Sequence, residues 1–207
     1  MNIIIFIHTV EVNKMEDKKA DIFNCGKELF SSKGFKDTNV SDITKMAGIA
    51  VGTFYKYYSS KEKLFLEIFQ NENVMLKQSI MKSVDLNEEP ITLIKKLMSL
   101  NISGMNSNPI LREWYNRDVF SKIEQEYRED NGVAKFDFVY NIFFELVNKW
   151  QAEGKIRKDI DGELIMGFFL SIINIDNHKE EIGLQHFPHI IDYLAEFIMK
   201  GLMDCQN

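Results

Sequence analysis

Apolar residues recur three and four positions apart along most of the chain, which is the spacing of amphipathic helices. Alternation of β-branched and polar residues, the mark of a strand, is scarce, and only three prolines interrupt the pattern. The chain is therefore predicted to be all-α. The helical patterns and the residues that punctuate them place helices at about 18–33, 40–47, 51–58, 59–84, 90–104, 109–129, 133–154, 161–177 and 187–203.

The segment from Asn39 to Lys63 predicts two short helices joined by a tight turn. Asn39 has a side chain suited to cap the first helix, and Ala47-Gly48 ends it. Two short helices with a glycine-containing turn between them form a helix-turn-helix, which presents its second helix to the DNA major groove. Beneath these helices we expect a small core of Phe35, Ile43 and Met46, with Phe54 also turned inward.

Charge is distributed unevenly along the sequence. The net charge of −6 by itself argues against a nucleic-acid binder. However, residues 15–64 carry nine lysines against seven acids, a net charge of +2, whereas residues 65–207 carry −8. We therefore expect only the N-terminal quarter of the chain to face DNA phosphates.

A larger group of residues between Ile22 and Leu64 shares the order and spacing of a known domain. Its members are Leu29-Phe30, Gly34-Phe35, Thr38, Val40, Asp42-Ile43, Ala47-Gly48-Ile49, Gly52-Thr53-Phe54-Tyr55, Tyr57 and Ser60-Lys61-Glu62-Lys63-Leu64. This stretch, about a fifth of the chain, closely resembles the DNA-binding domain of the TetR (tetracycline-repressor) family. The resemblance implies a dimeric, ligand-responsive transcriptional regulator, more often a repressor, that binds a near-palindromic operator of double-stranded DNA.

The same resemblance predicts the division of the chain and its DNA contacts. A three-helix helix-turn-helix domain at 15–64 follows an N-terminal extension at 1–14. A long helix, opened by a capping box from Ser59 to Glu62, joins this domain to a helical ligand-binding and dimerisation domain at 65–207. The predicted DNA-binding residues are Thr38, Asn39, Ser41, Val51, Gly52, Thr53, Tyr55, Lys56, Tyr57 and Lys61. Ala50 departs from the family pattern, because it replaces the usual Ser or Thr cap of the second helix.

Aromatic residues and methionines are concentrated in the middle of the chain, which favours an apolar or aromatic small-molecule ligand. For any one of these residues, core packing is the commoner role. Glu113, Arg117 and Asn141 are equally open candidates for a polar contact with such a ligand. The predicted ligand-binding residues are Met98, Met105, Trp114, Tyr115, Tyr140, Phe143 and Phe144.

The last two predicted helices carry apolar faces wider than one core contact requires. Between Leu164 and Ile175 only Gly167, Ser171 and Asn174 are not large apolar residues. A pair of such helices, together with its copy in a second subunit, forms the simplest four-helix interface. The predicted dimer interface comprises Phe168, Phe169, Ile172, Ile175, Ile191, Leu194, Ile198 and Leu202.

Other classes of function receive less support from the sequence. Cys25 and Cys205 form no metal-type pair, and we expect no metal and no cofactor; His178, Glu180, His186 and His189 offer only a weak metal-site alternative. No motif supports an enzyme. The apolar run Ile3–Ile7 is too short to span a bilayer, so the expected location is cytoplasmic. The main alternative is a helical ligand-binding or interaction protein whose DNA-binding domain is vestigial.

Overall fold

The computed structural model describes residues 2–129, 137–175, 182–183, 186–187 and 189–204, and all regular secondary structure in this part of the chain is helical. Ten α-helices have described bounds, and a 3₁₀ turn at Glu113–Tyr115 separates two of them. The helices are α1 Asn2–Lys33, α2 Val40–Met46, α3 Val51–Phe54, α4 Lys61–Ser83, α5 Pro90–Ser107, α6 Pro109–Arg112, α7 Arg117–Glu129, α8 Asp137–Ala152, α9 Gly162–Ile175 and α10 His189–Met203. The all-α prediction is confirmed.

The chain forms two compact units, each of which is built from two stretches of sequence. The first unit comprises residues 1–73 and 107–130, and the second comprises residues 74–106 and 131–207. The boundary between them falls within α4, after Asn73. The predicted division at residue 64 concerns function rather than packing and stays a prediction. Packing nevertheless adds α6 and α7 to the unit that contains the helix-turn-helix.

An aromatic cluster forms the core of the first unit. The rings of Phe30 and Phe65 meet edge to face with centroids 5.1 Å apart, and those of Phe35 and Phe65 do so at 4.9 Å. All three side chains are fully buried. Edge-to-face packing adds to the hydrophobic gain from burial. Because α1, α4 and the turn after α1 each supply one of these rings, the cluster fixes where α2 begins.

The predicted helix at 109–129 is broken in the structure. Asn108 caps α6 by accepting hydrogen bonds from the backbone N–H groups of Ile110 (2.9 Å) and Leu111 (3.3 Å). After one turn the backbone tightens into the 3₁₀ turn, and α7 begins at Arg117. Trp114 in this turn stacks on Phe69 with ring centroids 5.0 Å apart. The sequence pattern predicted the start of the helix, but the break depends on tertiary contacts.

The core of the second unit gathers α5, α8, α9 and α10. Leu93, Val147, Trp150, Ile165 and Met199 are among its buried residues. The last turn of α10 is tied to the loop before α9, because the Arg157 N–H donates to the Leu202 carbonyl at 2.7 Å. This core holds α9 and α10 side by side. None of the described helices is both long enough and apolar enough to cross a membrane.

Two further details of the sequence prediction are wrong. The α4 N-cap is Ser60 rather than Ser59, because the Ser60 Oγ accepts a hydrogen bond from the Lys63 N–H at 3.1 Å. Met46 is 44% exposed, whereas Ile43 and Thr44 are buried beneath α2. The helix turns its Ile43–Thr44 edge inward, so Met46 lies outside the core. Phe35 and Phe54 are buried, as predicted.

Candidate nucleic-acid interface

Helix α2 begins at the cap that the sequence predicted. The Asn39 backbone is extended (φ −123°, ψ 164°), and its side-chain Oδ1 accepts a hydrogen bond from the Asp42 N–H at 2.9 Å. The Ser41 hydroxyl also donates to this oxygen, at 2.5 Å. Both Asn39 and Ser41 are exposed. The cap therefore leaves two polar side chains at the start of α2 accessible to a nucleic acid.

Helix α3 is shorter than predicted, because its regular part ends at Phe54. Hydrogen bonds from the N–H groups of Tyr57 (2.9 Å) and Tyr58 (3.0 Å) to the Phe54 carbonyl continue the turn. Phe54 is fully buried and anchors the helix. Ala50 occupies the N-cap with no side-chain hydrogen bond, which confirms the missing cap. Packing through Phe54, rather than capping, therefore holds α3 in place.

The outward surface of α3 and of the turn that continues it presents most of the predicted DNA contacts. Val51 is 46% exposed and Tyr55 is 55% exposed. Gly52 and Lys56 are exposed as well, and Thr53 and Tyr57 are half-buried. The helix and the turn that continues it thus offer a hydroxyl, a phenol and a cationic amine, which are groups that bind phosphate oxygens or base edges.

Thr38 does not belong to this exposed surface, contrary to the prediction. Its side chain is fully buried, and its hydroxyl donates to the Gly34 carbonyl at 2.8 Å. The hydroxyl supplies a hydrogen bond to this backbone carbonyl in the turn between α1 and α2. Thr38 therefore has a structural role, and no side-chain surface is left for DNA.

Lys61, a predicted phosphate contact, makes backbone hydrogen bonds that the sequence did not predict. Its Nζ donates to the carbonyls of Phe35 (2.7 Å) and Thr38 (2.8 Å) and lies 4.1 Å from the centroid of the Phe35 ring. These bonds use two of the three ammonium hydrogens. Desolvation lowers the pKa of Lys61 below its usual value. The amine thus bonds mainly to backbone, and only its third hydrogen is available to a phosphate.

Glu113 makes an interaction that the sequence did not predict. Its Oε1 accepts a hydrogen bond from the Phe35 N–H at 3.0 Å, and its Oε2 accepts one from the Asn116 side chain at 3.2 Å. The sequence had offered Glu113 only as a candidate polar contact for a ligand. No local pattern could reveal its partner, which lies 78 positions away.

The predicted ligand-binding residues are divided between the two units. Trp114 and Tyr115 belong to the first, and Trp114 packs between Phe69 and Phe120, with ring centroids 5.0 and 4.7 Å away. The other five belong to the second, where Phe143 packs edge to face on Phe169 at 5.7 Å. The structure thus gives Trp114 and Phe143 packing roles, and the ligand contacts remain a prediction. The members in the second unit are Met98, Met105, Tyr140, Phe143 and Phe144.

The predicted dimer residues divide into a buried and an accessible set. Phe169, Ile172, Ile191 and Leu202 are buried within the core of their own unit. Phe168, Ile175, Leu194 and Ile198 are half-buried. The predicted dimer interface does not include Tyr193 and Phe197, which are 59% and 62% exposed and stack on one another with centroids 6.0 Å apart.

The weak metal alternative receives no support from the described residues, among which no group of three or more His, Cys, Asp or Glu side chains could hold an ion. His178 and Glu180 lie outside these residues, as does Cys205. Cys25 is a half-buried free thiol whose pKa is raised by burial and by the nearby acids Asp21 and Glu28. A raised pKa disfavours the thiolate that metal binding and nucleophilic chemistry require.

Known proteins share both the helix-turn-helix sequence and the fold. Residues 22–68 match the family model of bacterial regulatory proteins of the tetR family. The uncharacterized HTH-type transcriptional regulator YdgC of Bacillus subtilis is 27% identical over 84% of this chain and 78% of its own length.

Solved structures of similar fold include two proteins with bound ligands. RolR, in complex with resorcinol, gives a TM-score of 0.68 at 13% identity and covers 94% of this chain and 91% of its own. The transcriptional regulator FadR from Bacillus subtilis, in complex with stearoyl-CoA, gives 0.57 at 17% identity and covers 91% of this chain and 99% of its own. At such identities the similarity establishes the fold.

Proposed function

The chain belongs to the tetR family of bacterial regulatory proteins and is a DNA-binding transcriptional regulator, and from this premise we propose that it is a cytoplasmic, homodimeric repressor released by an apolar or aromatic small molecule. The observation that carries the DNA-binding part is the exposed surface of α3 and of the turn that continues it, where Tyr55 and Lys56 directly follow the buried Phe54. The protein acts by occupying DNA and not by catalysing a reaction.

The proposed docking places α3 in the major groove and α2 across the backbone, as in other helix-turn-helix proteins. Lys56 is the cation of the exposed face and meets phosphate. Thr53 and Tyr55 lie where they reach base edges or the neighbouring sugar and phosphate groups. Asn39 and Ser41 supply further backbone contacts from the start of α2. Lys61 contributes at most one hydrogen to a phosphate.

The test is binding to the DNA immediately upstream of the protein's own gene, measured by fluorescence anisotropy between about 50 and 200 mM salt. We expect specific binding that weakens as salt rises. Lys56→Ala should weaken binding to all sequences and reduce the salt slope by about 1, because one phosphate contact is lost. Tyr55→Ala should instead change the preference among operator variants.

The matched control is Lys82→Ala, which removes an exposed lysine from the far end of α4. Equal salt slopes for the Lys56 variant and the wild type would contradict the docking. If the wild type binds upstream DNA no better than unrelated DNA, the DNA-binding domain is vestigial, and the protein is a helical ligand-binding or interaction protein.

The proposed ligand class rests on the methionine-rich and aromatic composition of the second unit and on the ligands of two proteins of the same fold. RolR carries resorcinol and FadR carries stearoyl-CoA in their structures. These two compounds are therefore the probes, an aromatic diol and an amphipathic thioester. Release of the bound operator by either one identifies the class. A ligand shifts the equilibrium only if it binds the DNA-free form more tightly, so binding of the probe without release would contradict its role as the effector.

A further inference from the structure

A turn anchored by two buried residues, Phe35 and Thr38, sets the position of the helix-turn-helix. Residues 34–39, named here the 34–39 turn, connect the end of α1 to the N-cap of α2. Gly34 has a left-handed backbone (φ 79°), and its N–H donates to the Phe30 carbonyl at 3.0 Å. The Thr38 hydroxyl closes the turn through its bond to the Gly34 carbonyl. Any shift of this turn would move Asn39, and with it α2 and α3.

Two charged side chains from other elements hold the backbone of Phe35 in this turn. The Glu113 carboxylate accepts from the Phe35 N–H, and the Lys61 ammonium donates to the Phe35 carbonyl. Hydrogen bonds to charged groups are stronger than those between neutral groups. Because the Phe35 side chain is fully buried, its N–H and carbonyl have little access to substitute partners in water. The two side chains therefore restrain the turn from both sides.

We propose that Glu113 is a positioning residue for DNA binding, through which the Pro109–Tyr115 segment holds α2 and α3 in the operator-binding arrangement. The inference rests on the proposed function and names a means of regulating the same site. When the 3₁₀ turn shifts, the Phe35 N–H loses its acceptor and the 34–39 turn relaxes. Glu113 itself is fixed by the Asn116 amide and by the stacking of Trp114 on Phe69.

Close packing at Gly34 supports this role. A Cβ atom at position 34 would lie 2.9 Å from the Glu113 Oε1, so the carboxylate lies directly against the turn. A carboxylate in the DNA-binding unit also repels phosphate. On charge alone, its removal should tighten DNA binding. The proposed positioning role predicts weaker DNA binding instead, so the direction of the change in affinity distinguishes the two effects.

The experiment compares Glu113→Ala, Glu113→Gln and the control Asp118→Ala in the full chain. Asp118 lies in the same unit and forms an exposed ion pair with Lys36 at 2.5 Å, so its loss removes one acid without removing a backbone hydrogen bond. Affinity for the upstream DNA is measured with the salt slope. Glu113→Ala should bind about tenfold more weakly with the slope unchanged. Glu113→Gln should bind as tightly as the wild type or more tightly, because its amide oxygen still accepts and one negative charge is lost, and Asp118→Ala should likewise bind equally or more tightly.

Amide hydrogen exchange without DNA supplies an independent readout. In Glu113→Ala the Phe35 amide and the amides of 39–58 should exchange faster than in the wild type and in Glu113→Gln, while those of the second unit stay unchanged. Wild-type affinity together with wild-type exchange in Glu113→Ala would overturn the positioning role. If the wild type binds no upstream DNA, the proposed function fails, and the exchange result still decides whether Glu113 positions these helices.

Discussion

Lys77 shows how one residue can lower the stability of the whole protein. Its side chain on α4 is half-buried, and its amine donates to the Asn101 side chain, a neutral partner. Burial lowers the pKa of Lys77 to about 8. The folded state therefore bears the cost of a poorly solvated cation at neutral pH.

Lys77→Met should raise the free energy of unfolding at pH 7 by about 1 kcal/mol, because methionine keeps the apolar stem and removes the charge. In the wild type, the folded pKa lies below the unfolded value of 10.5, so the unfolded state binds more protons between about pH 8 and 10.5. Stability should rise with pH across this window, and the variant should lose this rise. Urea unfolding at pH 7, 8.5 and 10 measures both effects, and the exposed Lys82→Met is the control.

Prediction from the sequence was most successful where a residue acts on its neighbours. The cap at Asn39, the missing cap at Ala50 and the inward side chain of Phe54 are local properties, and all are confirmed. Lys61 and Glu113 bond to a turn 26 and 78 positions away. The sequence carries no local signal for such partners, so it could not predict which charged groups turn inward.

At the scale of the element, α3 is the weakest helix of the DNA-binding region. It has four regular residues and no side-chain cap, so its geometry depends on Phe54. The sequence predicted a helix at 51–58, four residues longer than α3, because the residues after Phe54 are compatible with either a helix or a turn. The 3₁₀ turn within the predicted helix at 109–129 was missed for a related reason, since the stacking of Trp114 on Phe69 is a tertiary contact.

Ala50→Ser should stabilise the protein by roughly 1 kcal/mol, because a hydroxyl at this position can accept from an unpaired N–H of the first turn of α3. The Ala50 backbone is extended (φ −74°, ψ 147°), as an N-cap requires, and its side chain is exposed. The measurement is the urea midpoint. Ala47→Ser at the C-terminal end of α2 is the control. An equal shift in both variants would show that the hydroxyl does not act as a cap.

At the scale of the molecule, the exposed apolar residues of α9 and α10 favour these two helices as the interface of the proposed dimer. Leu164, Tyr193 and Phe197 are each at least 49% exposed in the single chain, and they belong to the two helices that the sequence assigned to the dimer interface. Half of the residues predicted for that interface proved to be core. The wide apolar face predicted that these helices pack both against the core of their own unit and against a partner. Only the packing of the unit shows which residues belong to the core.

Phe197→Glu should shift the protein from dimer to monomer and weaken operator binding, because a charge buried without a partner at an interface is costly and two α3 helices would no longer be held together. Sedimentation velocity at several concentrations measures the association. Met75→Glu, at an apolar side chain of α4 that is 55% exposed, is the matched control. A Phe197→Glu variant that remains dimeric would exclude this face.

The bonds of Lys61 and Glu113 to the backbone of Phe35 bear on the engineering of altered operator preference. Both hydrogen bonds are made to main-chain atoms, which every non-proline residue possesses. A chimaera that replaces residues 40–58 with the helices of another regulator would therefore keep both attachments intact. Grafts of this kind should tolerate wide differences in sequence on their exposed faces, provided that the buried positions 43 and 54 stay apolar, position 34 stays glycine and the glutamate at 113 is left in place.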